Sequence, residues 1–166
     1  LADKRPPGTT GKCLVMVTKD AERTMNTFLG ITSTFSDAEL VESSLKDSQY
    51  LYIEGYLVAS PTGQKAAIAA RELAEKNGVK TALTFSDPAM VQFFGDGMKN
   101  MIGAKGVDLL FSNEAEACSF AGTTDLLVAR EALKKVAKTF VITRGEHGAT
   151  LFDGTRFIDV EAFPVV

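Results

Sequence analysis

Four short apolar runs recur along the chain, at residues 49–54, 79–84, 107–112 and 139–143, each divided from the next by a helix-length stretch. Strands that are buried on both faces read in this way, whereas a half-exposed strand alternates apolar and polar residues. The chain is therefore expected to be an α/β protein with a mostly parallel central sheet and helices on both faces.

The segments between the runs carry helix signals. Ser36 and Glu39 form a capping box that should open a helix reaching about Lys46. Pro61 stands where a first helical turn tolerates proline, and Gly78 ends the alanine-rich stretch that follows. A helix is expected over residues 88–102, irregular at Gly95 and Gly97, and others over NEAEACSFAG and DLLVAREALKKVAK. TFVITRG, GATLFDG and TRFIDVE close the chain as strands, the last two as an antiparallel hairpin on the sheet edge. The beginning reads differently. Residues 13–18 and 23–29 are β-rich runs joined by Lys19, Asp20, Ala21 and Glu22, the pattern of a separate hairpin. Residues 1–34 are thus set apart from one α/β unit over 35–166.

Bulk properties remove several function classes. With a net charge of −3 and both signs interspersed, the chain offers no electrostatic footprint for nucleic acid. No apolar run approaches the ~20 residues that cross a bilayer, and LADKRPPGTTGK lacks the apolar region of a signal peptide. Cys13 and Cys118 lie far apart in apolar surroundings, so both are expected to be buried, reduced thiols of a cytoplasmic protein.

Five motifs bear on chemistry. GTTGK at 8–12 is not a phosphate-binding P-loop, because Pro6 replaces the first glycine, Cys13 the Ser or Thr, and a strand follows. Asn113-Glu114-Ala115-Glu116 ends a strand. Asn113 is a good N-cap and Glu116 completes a capping box, yet this is also where α/β sheets bind anions and where a carboxylate could hold Mg²⁺. Thr143-Arg144-Gly145-Glu146-His147-Gly148 reads as a hairpin loop, or as a loop whose glycines let the backbone approach a nucleotide. His147, the only histidine, reads as an exposed loop residue. Glu54 is either a solvated strand-end residue or a ligand-facing carboxylate. Asp87 caps the helix that Pro88 opens, or faces a ligand from a similar position.

The order of these motifs resembles the PfkB (ribokinase-like) family of carbohydrate and nucleoside kinases, within it the adenosine-kinase-like sugar kinases, across essentially the whole chain. PGTTGKCLVMVTKDAERTMNTFLG resembles the family's lid strands, SNEAEACSFAG its N-x-x-E motif, and VITRGEHGATLF its T-x-G-x-x-G loop. FSDPAM keeps Asp87 and Pro88 of a D-P-N-x-R form, but Ala89 and Val91 replace its Asn and Arg.

The resemblance implies a ribokinase-like fold with part of a β lid over residues 1–34, the rest being the central part of the kinase core. It implies ATP-dependent phosphorylation of a hydroxymethyl group on a sugar or nucleoside, with ATP and Mg²⁺ as cofactors. Glu116 would serve catalysis and the metal; Asn113, Thr143, Gly145 and Gly148 would bind ATP, and Glu54 the substrate. It leaves room for a homodimer formed through the lid. The family's N-terminal glycine-rich motif and its C-terminal G-A-G-D motif, which carries the catalytic base, are not in the sequence. The chain is therefore expected to be a fragment, inactive alone. The competing reading is a non-catalytic α/β nucleotide-binding or interaction module. A nucleotide-linked oxidoreductase finds no support, because no G-x-G-x-x-G follows a strand.

Overall fold

The computed structural model describes residues 7–20 and 22–164. Residues 1–6 of the expected lid portion, Ala21 of its turn and Val165 and Val166 of the closing stretch lie outside the described residues. The strands are β1 (Lys12–Val17), β2 (Arg23–Phe28), β3 (Tyr50–Glu54), β4 (Lys80–Thr84), β5 (Val107–Asn113), β6 (Ala137–Thr143), β7 (Ala149–Phe152) and β8 (Phe157–Val160). The helices are α1 (Glu42–Lys46), α2 (Pro61–Lys76), α3 (Pro88–Phe93), α4 (Gly95–Ile102), α5 (Glu114–Ala121) and α6 (Leu126–Leu133).

Six strands form one sheet in the order β3-β4-β5-β6-β7-β8. The first four run parallel, and β7 and β8 add an antiparallel edge. The parallel strands expected from the apolar runs, and the closing hairpin, are therefore all present. Ile53, Leu83, Leu110, Phe140 and Ile142 point to one face and form the core with Ala67, Met98, Met101, Ala117, Ala129 and Leu133 from the helices. Alanines dominate the inner side of α2, at Ala66, Ala67, Ala70 and Ala74, which lets its backbone lie close to the sheet. The other face shows Tyr52 and Phe111, 52% and 37% exposed, packed edge to face with centroids 6.5 Å apart.

β1 and β2 pair separately as an antiparallel ribbon in which every residue is exposed. This corrects the expectation for Cys13. With no layer packed on the ribbon among the described residues, Cys13 lies in the open, with Thr27 Oγ1 3.4 Å from its sulfur. Cys118 is partly buried in α5, and burial, then Glu114 and Asp125, push its thiol pKa up. Both thiols are free.

Two helix boundaries also differ from expectation. The Ser36–Glu39 box forms in full, but it opens a single 3₁₀ turn, Asp37–Glu39, after which Leu40 and Val41 are extended and α1 starts afresh. Asp37 of that turn also pairs with Lys65 on α2 at 3.2 Å. α6 stops at Leu133 rather than Lys138, because Lys135 and Val136 bond back three residues and the chain must enter β6 beside Val107. The break expected near Gly95 falls at Phe94, between α3 and α4. No helix among the described residues is long and apolar enough to cross a membrane.

The N-terminal ends of the parallel strands are pinned by Asp108. Its carboxylate accepts hydrogen bonds from Thr81 N (2.8 Å) and from Lys138 Nζ (2.6 Å). Burial alone would raise its pKa, but Lys138 and the Thr81 groups outweigh that and hold it below 3.8. Such a group stabilises the fold above its unfolded pKa, and the contribution is lost as pH falls through the folded value. Asp108→Ala is therefore expected to cost about 1–3 kcal/mol at neutral pH, through unpaired partners. The difference from wild type should shrink in acid below 3.8, which urea denaturation across pH will check.

Candidate functional site

Parallel strands deliver their C-terminal ends to one rim, and there the register sets neighbours. Glu54 of β3 stands beside Thr84 of β4, and Asn113 of β5 stands beside Thr143 of β6. The α5 N-terminus rises from Asn113 and the 144–148 loop leaves from Thr143. Asn113, Glu116 and Thr143 are thus brought together, with Gly145 and Gly148 in the adjoining loop. Glu54 lies on the same rim, two strands from Asn113.

The Asn113–Glu116 pair is closed on itself. Glu116 N donates to Asn113 Oδ1 (2.8 Å), Asn113 N donates to Glu116 Oε2 (2.9 Å), and Asn113 Nδ2 donates to Glu116 Oε1 (3.0 Å). The structural reading of this pair as a capping box is realised in full. Glu116 is nevertheless only 5% exposed, and burial raises its pKa above the usual carboxylate range. The Asn113 N–H works against that rise, and the nearby Asp87 carboxylate adds to it by repulsion. Asp87 itself caps α3 through Ala89 N at 2.7 Å, as its position before Pro88 suggested.

The 144–148 loop is a tight connection between β6 and β7. Residues 145–147 form a 3₁₀ turn, and Arg144 N donates to Gly148 O (2.8 Å). Gly148 has φ +81°, and a Cβ built on it would meet Val160 O at 2.0 Å. Only glycine fits there. The Thr143 side chain reaches the Ser112 carbonyl at 3.5 Å. Arg144 Nε pairs with Glu114 Oε2 at 3.3 Å, tying the loop to the first turn of α5. His147 is exposed, as expected.

Sequence reasoning missed four residues of this rim. Arg144 and Glu114 lie inside the two motifs, but their pairing depends on β5 and β6 being neighbours. Tyr56, just after Glu54, has its phenol pKa raised first by burial, then by Asp87, Glu116 and Glu54. Ser86 contacts Glu54 directly, its hydroxyl 3.2 Å from Glu54 Oε2. No local pattern in the sequence announces either.

The rim can therefore offer a helix N-terminus, a buried carboxylate with a second one near it, and a glycine loop. Mg²⁺ is commonly held by one or two carboxylates together with substrate phosphates. Glu116 fits the carboxylate part of that donor set. Among the described residues no three His, Cys, Asp or Glu side chains cluster as a complete protein-built metal site.

Comparisons with known proteins follow the same line. Residues 4–166 match the profile described as pfkB family carbohydrate kinase. A solved adenosine kinase from Sinorhizobium meliloti superposes with a TM-score of 0.88 at 30% identity, over 95% of this chain and 48% of that one. An Escherichia coli structure assigned as a ribokinase II, solved in complex with ATP and Mg²⁺, gives a TM-score of 0.79 at 19% identity, over 93% and 51% of the two chains. The uncharacterized sugar kinase YegV of Escherichia coli (strain K12) is 24% identical over 160 residues, 95% of this chain and 49% of its own length. The chain thus spans about half the length of the relatives it matches.

Proposed function

The chain belongs to the pfkB family of carbohydrate kinases, and from that premise we propose that the whole protein transfers the γ-phosphoryl group of ATP to a hydroxymethyl group of a sugar or nucleoside in the cytoplasm. The observation that carries the reading is the Asn113–Glu116 pair, with its buried carboxylate, at the mouth of β5, next to Thr143 and the loop that follows it.

In such transfers a protein mainly positions reactants and balances charge. Glu116 supplies negative charge toward the metal, and Asn113 fixes the direction of both its oxygens. Mg²⁺, when bound, offsets the charge of the ATP phosphates. The α5 N-terminus adds backbone N–H groups on the same rim. Thr143, Gly145 and Gly148 line the nucleotide, and Glu54 faces the acceptor. Residues 1–34 act as a lid on the 35–166 core, closing over the acceptor and excluding water. The exposed Leu14, Met16, Val17, Met25 and Phe28 of the ribbon support a lid that also pairs with a second copy.

Residues 1–166 by themselves are expected to bind Mg·ATP weakly or not at all and to give no acceptor-dependent ADP release. The family resemblance assigns the anion hole and the base to a G-A-G-D motif absent from this sequence. Losing a single anion-hole donor already costs roughly 10²–10³ in rate. The test is calorimetry with Mg·ATP and an ADP-release assay, run on residues 1–166 and on the full protein with a panel of nucleosides and free sugars. ATP binding without turnover by the full protein would instead favour the non-catalytic nucleotide-binding module. Excess chelator should abolish turnover and restored Mg²⁺ should recover it.

A further inference from the structure

Ser86 has φ +69°, the one non-glycine residue with positive φ among those described. Asp87 N donates to Phe85 O at 2.9 Å, so Ser86 is the middle residue of a three-residue turn. With positive φ this is the rare, strained form of that turn. Glycine takes up such a backbone without penalty, and a side chain persists there only where its surroundings hold it.

The side chain is held on both sides. Ser86 Oγ accepts from Gly55 N at 2.9 Å and donates to Glu54 Oε2 at 3.2 Å, while Ser86 N donates to Thr84 Oγ1 at 3.2 Å. The hydroxyl thus links the ends of β3 and β4 across 32 residues of sequence. Gly55 makes the approach possible, since a Cβ there would lie 2.5 Å from both Thr84 O and Phe85 O. Glu54 is an exposed strand-end side chain, and without the Ser86 hydroxyl it would have more rotamers open to it.

We propose that Ser86 is a positioning residue, whose hydroxyl orients the Glu54 carboxylate toward the acceptor and sets acceptor affinity. The inference rests on the reading of Glu54 as the acceptor-side residue. It assigns a role to the strained turn itself: the turn brings one hydroxyl into contact with both the Glu54 carboxylate and the following backbone N–H.

The experiment is steady-state kinetics of the full protein with an acceptor that it turns over, taken from the panel of nucleosides and free sugars. Four forms are compared with wild type: Ser86→Gly, Ser86→Ala, Glu54→Gln and the Ser86→Gly/Glu54→Gln double variant. A hydrogen bond to a charged group is worth enough for a roughly tenfold effect. Both serine variants should therefore raise the acceptor KM roughly tenfold, with kcat and the ATP KM within about twofold of wild type. Ser86→Gly should be thermally no less stable than Ser86→Ala, because glycine fits the positive φ. In the Glu54→Gln background, removing the hydroxyl should add less than about twofold, since residues acting through one another are not additive.

An acceptor KM that rises in Ser86→Ala but not in Ser86→Gly would mean that strain, not the hydroxyl, is responsible, and would overturn the inference. So would an undiminished Ser86→Gly effect in the Glu54→Gln background. If Glu54→Gln raises the acceptor KM and neither serine variant does, the positioning role fails and the reading of Glu54 stands. If Glu54→Gln leaves the acceptor KM unchanged, or no acceptor is turned over, the reading of the site fails and this inference with it.

Discussion

Glu116→Gln in the full protein is expected to cut turnover more than tenfold and to raise the Mg²⁺ concentration needed for half-maximal rate. The substitution keeps the shape of the side chain and removes the charge proposed to face the metal. It also leaves one acceptor oxygen where Asn113 N and Nδ2 now meet two. One donor becomes unpaired, which should lower stability by about 1–3 kcal/mol. The two effects separate by pH. Glu116 has a raised folded pKa, so its protonated form favours folding below the unfolded value of 4.5, and that contribution fades as pH rises through the folded pKa. The stability cost of the glutamine, measured without nucleotide, should therefore be largest in acid and smallest at neutral pH. The catalytic loss should grow as pH rises through the folded pKa, as the wild-type carboxylate becomes charged. Unchanged turnover with lowered stability would reduce Glu116 to a helix cap.

Gly148→Ala is expected to be the most damaging single-methyl change in the 144–148 loop. Its φ of +81° and ψ of −129° lie next to a region essentially reserved for glycine, and the added Cβ would sit 2.0 Å from Val160 O. The loop and β8 must separate for it to fit. A loss of about 2–4 kcal/mol follows, from backbone strain plus overpacking. Mg·ATP affinity should fall at least roughly tenfold, since ligand and catalytic geometries tolerate about an ångström of displacement poorly. Gly145→Ala is the control, because nothing lies within 4 Å of a Cβ built there at φ +54°. It should cost only about 1–2 kcal/mol, the left-handed penalty alone. Thermal melts and calorimetry of both variants will show whether the loop is constrained at Gly148 specifically.

Where local pattern and tertiary structure agree, the sequence was a sufficient guide. The strand of Val107–Asn113 and the cap at Asn113 are both local signals, and both appear where they were read. The rim then follows from parallel order, because strands joined by helices end on the same side. Expectations failed where neighbours decide. The Ser36–Glu39 box is complete, yet Asp37 binds Lys65 and the turn goes no further. α6 yields its last residues to the strand that must pair with Val107. Cys13 looks like a core residue by its neighbours in sequence, but its strand belongs to a ribbon with no layer packed on it among the described residues. Ser86 and Tyr56 gain their surroundings from register between distant segments, which composition and spacing do not encode.

The most direct test of the whole account is ADP release by the purified full protein at saturating Mg·ATP, with and without nucleosides and free sugars. A phosphoryl-transfer role predicts acceptor-dependent release, a phosphorylated hydroxymethyl product, and more than tenfold slower release in Glu116→Gln. Acceptor-independent ATP hydrolysis, or turnover unaffected by Glu116→Gln, would contradict it.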